Sequence, residues 1–114
     1  MKKPDGDRAR LLHILEAIQY INSFITGKIK NDIYDDPMLR FAIERQLEII
    51  GEAANHLSQD LKSTHPEIEW RKIVAFRHFV AHEYFGIDLE LVWDIVINKI
   101  PPLHETISTL LDRQ

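Results

Sequence analysis

The chain has 114 residues, 45% apolar and 28% charged, with a formal net charge of −4. This is enough apolar material for one domain with its own core, residues 1–114, and it excludes intrinsic disorder. With no cysteine, disulfides and thiolate metal sites are excluded and a cytoplasmic protein is expected. The acidic balance excludes a broad basic face for gripping nucleic acid, leaving room only for a local basic cleft. No apolar run approaches the ~20 residues needed to span a bilayer, so no membrane association is expected. Met1-Lys2-Lys3-Pro4-Asp5-Gly6-Asp7 has no apolar stretch after its lysines and does not read as a signal peptide.

The apolar spacing is helical nearly throughout. A first helix is expected from Asp7 to Thr26, with Leu11, Ile14, Leu15, Ile18, Ile21 and Ile25 as one stripe and Gly27 as its stop. Lys28 to Asp35 is polar and reads as a loop. Asp36-Pro37 supplies a cap and a first-turn proline for a second helix that runs to Leu61. Phe41, Leu47, Ile50, Ala54, Leu57 and Leu61 are its expected inward residues. Gly51 lies in the middle of it, where glycine costs ~1 kcal/mol relative to alanine, and close approach of a neighbouring helix is the expected reason. Thr64-His65-Pro66-Glu67 has the spacing of a capping box, and its proline makes a turn equally compatible.

A third helix is expected from Trp70 to Tyr84, with Ile73, Phe76, Val80 and Tyr84 along one side. Gly86 and Asp88 mark a break and a new cap. A fourth helix spans Leu89 to Lys99, Ile100-Pro101-Pro102 interrupts it, and a last helix runs from Leu103 to Asp112. No alternating strand pattern of useful length is present. The expected fold is all-α, an up-and-down bundle of four to five helices.

Chemistry concentrates in Arg77-His78-Phe79-Val80-Ala81-His82-Glu83-Tyr84. A guanidinium, two imidazoles, a carboxylate and a phenol fall within eight residues of an otherwise apolar pattern. A lasting cation beside a titratable base is the minimum for metal-free phosphodiester chemistry. On a straight helix, residues five apart are separated by ~140°, so Arg77 and His82 either serve different surfaces or meet at a helix end or between two chains. His78 and His82 share a face and have the spacing of two zinc ligands. Glu83 follows the second histidine, however, which is wrong for His-Glu-x-x-His, and no third ligand is close in sequence. A solvated helix face, an acid/base site and a metal site all remain open on these residues alone. His13, His56, His65 and His104 read as surface residues. No phosphate loop, nucleophile elbow or Gly-rich dinucleotide motif is present.

The order of motifs resembles the HEPN superfamily, and within it the small HepT-like toxins of prokaryotic toxin–antitoxin pairs. The resemblance covers nearly the whole chain. It rests on Asp7-Arg8 with Leu12, Leu15, Ala17 and Ile18, and on Arg45-x-Leu47-x-Ile49-Ile50-Gly51-Glu52-Ala53. It continues through Pro66, Ile68, Trp70, Ile73 and Arg77, then His82-x-Tyr84, Asp88, Val92-Trp93 and Pro101-Pro102-Leu103. Arg-x4-His alone is a weak signal, and the ordered set is a strong one.

The resemblance implies a homodimer whose active cleft lies where two copies of the motif meet, with Arg77 and His82 catalytic. It implies a metal-independent endoribonuclease toxin that needs no cofactor and takes RNA as substrate. Its partner is expected to be a minimal nucleotidyltransferase antitoxin that transfers AMP to the motif tyrosine, here Tyr84. His78 stands where family members commonly carry a small polar residue after the arginine, and it is expected to support the site. The alternative within the superfamily is a non-catalytic module that binds nucleotide or a nucleotidyltransferase.

Overall fold

A computed structural model describes residues 4–78 and 88–113. The described residues form α1 (Pro4–Ile25), α2 (Lys30–Asp35), α3 (Pro37–Asn55), α4 (Gln59–Thr64), α5 (Trp70–Val74), a 3-10 turn (Ala75–His78), α6 (Leu89–Asp94), a π-helical segment (Ile95–Lys99) and α7 (Ile100–Asp112). They include no strand, so the all-α expectation holds. The helix α1 lies along α3, α7 packs on α1, and α5 with the 3-10 turn packs on α3.

Leu11, Ile14, Ile18 and Ile21 of α1 are completely buried, each worth ~1.5–3 kcal/mol relative to exposure. They meet Ile43, Leu47 and Ile50 of α3 and Ile100 and Ile107 of α7 in one core. Gly27 ends α1 with φ +74°, a conformation that side chains bearing a Cβ resist.

Three expectations about chain path are corrected. Lys28 to Asp35 is not all loop. Ile33 is completely buried, and Ile29 N–H donates to the Asp32 carboxylate at 2.8 Å to start α2. Lys30 Nζ and Tyr34 Oη then both reach Glu90, at 3.0 and 3.3 Å, tying α2 to α6. Partial desolvation and the Glu90 carboxylate raise the Tyr34 phenol above its ordinary pKa.

The second helix ends at Asn55 rather than Leu61. Ser58 starts a new helix, its hydroxyl accepting from Leu61 N–H at 3.1 Å. Asp7 explains the break. It is buried on α1, where its carboxylate accepts from Ser58 N–H at 2.8 Å and from Ser58 Oγ at 2.5 Å. Hydrogen bonds to a charged group are worth ~1.5–3 kcal/mol each. Phe41, expected inside, is 51% exposed and carries the Arg40 guanidinium 5.1 Å above its ring.

Ile100-Pro101-Pro102 does not interrupt the last helix. The irregularity lies one turn earlier, where the Ile100 N–H donates to the Ile95 carbonyl five residues back. Prolines supply no N–H to the preceding turn, and one widened turn absorbs that loss without a break. Thr64 ends α4 rather than capping a helix. Asp88 caps α6 as expected, accepting from Leu91 N–H at 3.2 Å.

Candidate active site

Trp70 begins α5, and its indole Nε1 donates to the His65 carbonyl at 3.1 Å. Ile73 of α5 and Phe76 of the following 3-10 turn are buried and hold both against the core. Past Val74 the chain tightens into the 3-10 turn that carries Arg77 and His78.

Gly51 is what lets this turn come so close. A Cβ on Gly51 would lie 2.4 Å from Arg77 N, 2.8 Å from the Val74 carbonyl oxygen and 3.0 Å from Arg77 Cβ. The backbone of α3 thus touches the backbone of the turn, and the mid-helix glycine has the packing reason expected of it.

One residue further along α3, Glu52 receives the tip of the same arginine. Arg77 Nη1 donates to Glu52 Oε1 at 3.1 Å, with 34% of the Arg77 side chain exposed. The other oxygen of Glu52 lies 3.8 Å from His56 Nε2, one turn away. Glu52 and His56 also line a groove of about 570 Å³ together with Arg10, His13, Arg45 and Glu48, and Arg45 pairs with Glu48 across a turn of α3. Basic side chains, Arg10 and Arg45, thus sit on the α1–α3 surface interleaved with the carboxylates of Glu48 and Glu52.

His78 turns elsewhere. It lines a larger cavity of about 1140 Å³ whose walls include Ile73, Phe76, Leu91, Ile95 and Leu103. Glu69 stands at the same cavity, its carboxyl held below the usual range by the Lys72 ammonium. Arg77 and His78 thus reach different surroundings although they are neighbours in sequence. His82 and Tyr84, with Val80 and Gly86, lie outside the described residues. Among the described residues no three side chains of metal-ligating type converge, and no helix is long and apolar enough to cross a membrane.

The Ribonuclease HepT-like family matches residues 14–110. The chain belongs to the HepT-like family. A Caldanaerobacter subterraneus protein named as a candidate RNase, TTE0752, is 32% identical over all of this chain and 99% of its own. "Probable ribonuclease HepT" of Thermococcus cleftensis is 41% identical over 79% of this chain and 82% of its own. A Methanocaldococcus jannaschii protein named as a candidate RNase, MJ0127, is 38% identical over 82% of this chain and 78% of its own. No solved structure matches the chain.

The HepT-like match spans Gly51, Glu52, Arg77, His82 and Tyr84. Glu52 is the residue that sequence reasoning passed over. It stands in the Ile-Gly-Glu-Ala stretch that carries the resemblance, yet no role follows from that stretch alone. The signal available was Gly51, because a glycine kept for close approach marks its neighbour as adjacent to whatever approaches.

Proposed function

We propose that this HepT-like chain is a metal-independent endoribonuclease acting as the toxin of a toxin–antitoxin pair in the cytoplasm. The observation that carries the reading is the Arg77 guanidinium, held at 3.1 Å by Glu52 and still 34% exposed to an incoming phosphate. A guanidinium stays charged and binds two phosphate oxygens in a fork.

RNA brings its own nucleophile. The 2′-oxygen attacks phosphorus, the bond to the 5′-oxygen breaks, and a 2′,3′-cyclic phosphate and a 5′-hydroxyl result. One group takes the 2′ proton and another gives a proton to the leaving oxygen. Histidine suits both tasks because its unperturbed pKa is near ~6.5. A single imidazole cannot be neutral and protonated together, so a two-fold homodimer presents His82 from each copy, and the bound RNA breaks the symmetry. Arg77 meets the charge that grows on phosphorus, while His78, expected to support the motif, faces the larger cavity.

The test is cleavage of a single-stranded RNA by the purified chain in excess EDTA. Undiminished cleavage and 2′,3′-cyclic ends are expected, whereas loss on chelation rejects the metal-independent route.

A minimal nucleotidyltransferase silences the toxin by transferring AMP from ATP to the Tyr84 hydroxyl, with release of pyrophosphate and the phenol proton. The added phosphate brings a negative charge into the motif and repels RNA. Tyr84→Phe is expected to remain toxic when the antitoxin is co-expressed. Equal silencing of Tyr84→Phe, with no other residue modified, rejects this step.

A further inference from the structure

We propose that Glu52 is the positioning residue for Arg77, holding its guanidinium in the orientation that receives the scissile phosphate. The inference rests on the ribonuclease reading above and adds a residue to it.

Two consecutive residues of α3 hold the two ends of one arginine. Gly51 grips the base, since its backbone lies against Arg77 N and Cβ with no room for a side chain between. Glu52 holds the tip, with Oε1 at 3.1 Å from Nη1. With the origin of the side chain set by Gly51, the remaining freedom is rotation along the arginine stem, and the Glu52 contact restricts it.

Stability does not account for the pair. Glu52 is 51% exposed and Arg77 is 34% exposed, and ion pairs in that setting add little to folding. Orientation is what such a contact supplies, because an arginine positioned beforehand loses less freedom when the phosphate arrives. The geometry is compatible with turnover. The guanidinium has five donors in a planar fork, and one contact at Nη1 leaves donors for phosphate oxygens. His56 Nε2 lies 3.8 Å from the other Glu52 oxygen, one turn along α3.

The experiment compares full-length wild type, Glu52→Gln and Glu52→Asp on a single-stranded RNA. It also follows the Arg77 Nε–Hε group by nitrogen-15 NMR without RNA, assigned through its loss in Arg77→Ala. Glu52→Gln keeps the shape and removes the charge. Its kcat is expected to fall roughly 10- to 100-fold with KM nearly unchanged, and Glu52→Asp is expected to recover part of the loss. The Arg77 signal should change from restrained in wild type to motionally averaged in Glu52→Gln.

An unchanged kcat in Glu52→Gln overturns the proposal. So does a lowered kcat with Arg77 as restrained as in wild type, which would give Glu52 some other part. If wild type cleaves no RNA, the ribonuclease reading fails. The NMR comparison then decides the Glu52 contact by itself, and equal restraint of Arg77 in wild type and Glu52→Gln overturns it.

Discussion

Arg77→Ala is expected to lower kcat for RNA cleavage by roughly 10²–10³-fold, the loss typical of removing one preorganised transition-state donor, or about 2.7–4 kcal/mol. Folding is expected to change far less. The Arg77–Glu52 pair is half open to water, and exposed ion pairs contribute about 0–1 kcal/mol. Steady-state kinetics and urea unfolding on the same preparation separate the two effects. A midpoint that falls in step with activity would mark Arg77 as a structural residue and remove it from the chemistry. Arg77→Lys refines the result. Lysine keeps the charge but offers a point rather than a fork, so activity well below wild type is expected if two phosphate oxygens are held together.

Gly51→Ala is expected to destabilise the fold even though alanine is the better helix former. The substitution gains ~1 kcal/mol of helix propensity. Against this, the new methyl group would meet Arg77 N at 2.4 Å and the Val74 oxygen at 2.8 Å. Both atoms are backbone, so neither can swing aside as the end of a side chain does. The 3-10 turn must move as a body, with Ile73 and Phe76 leaving their buried places. Overpacking of this kind costs ~1–3 kcal/mol and occasionally more, which outweighs the propensity gain. A lower urea midpoint is expected, and cleavage should fall further than the population of unfolded chain explains, because Arg77 is carried by the displaced turn. An unchanged or raised midpoint would mean that α3 and the turn separate at little cost.

The stripe of α1 was legible because Leu11, Ile14, Ile18 and Ile21 repeat with the helical period and Gly27 follows them. Caps at Asp36 and Asp88 were legible because acceptor side chains announce a helix start locally. The end of α3 was not. Ala54, Leu57 and Leu61 are buried on both sides of the break, so the apolar rhythm continues across it. What decides the break is Asp7, far away in sequence, and no local pattern contains that partner. The helix α2 was hidden for a similar reason, since a single buried residue, Ile33, anchors it in a polar stretch.

Of the candidate site, Gly51 was read correctly as a point of close approach, but what approached it was not readable. The arginine of the motif and the acid beside that glycine lie 25 positions apart. Only the fold of α5 against α3 brings them together. His78 was grouped with Arg77 by sequence, yet the tight turn sends it toward a different cavity.

The π-helical segment at Ile95–Lys99 sets the rotational phase of everything after it. An added residue in one turn advances the following helix by roughly 100° about its axis relative to an unbroken α-helix. Val92, Ile95 and Val96 before the widened turn and Ile100, Leu103, Ile107 and Leu110 after it all lie in one core. The insertion therefore acts as a gear between two halves of one continuous rod. A relative that crosses this stretch as a regular α-helix without losing a residue would have to carry its apolar positions in α7 shifted along the chain by one, a signature that can be read without coordinates.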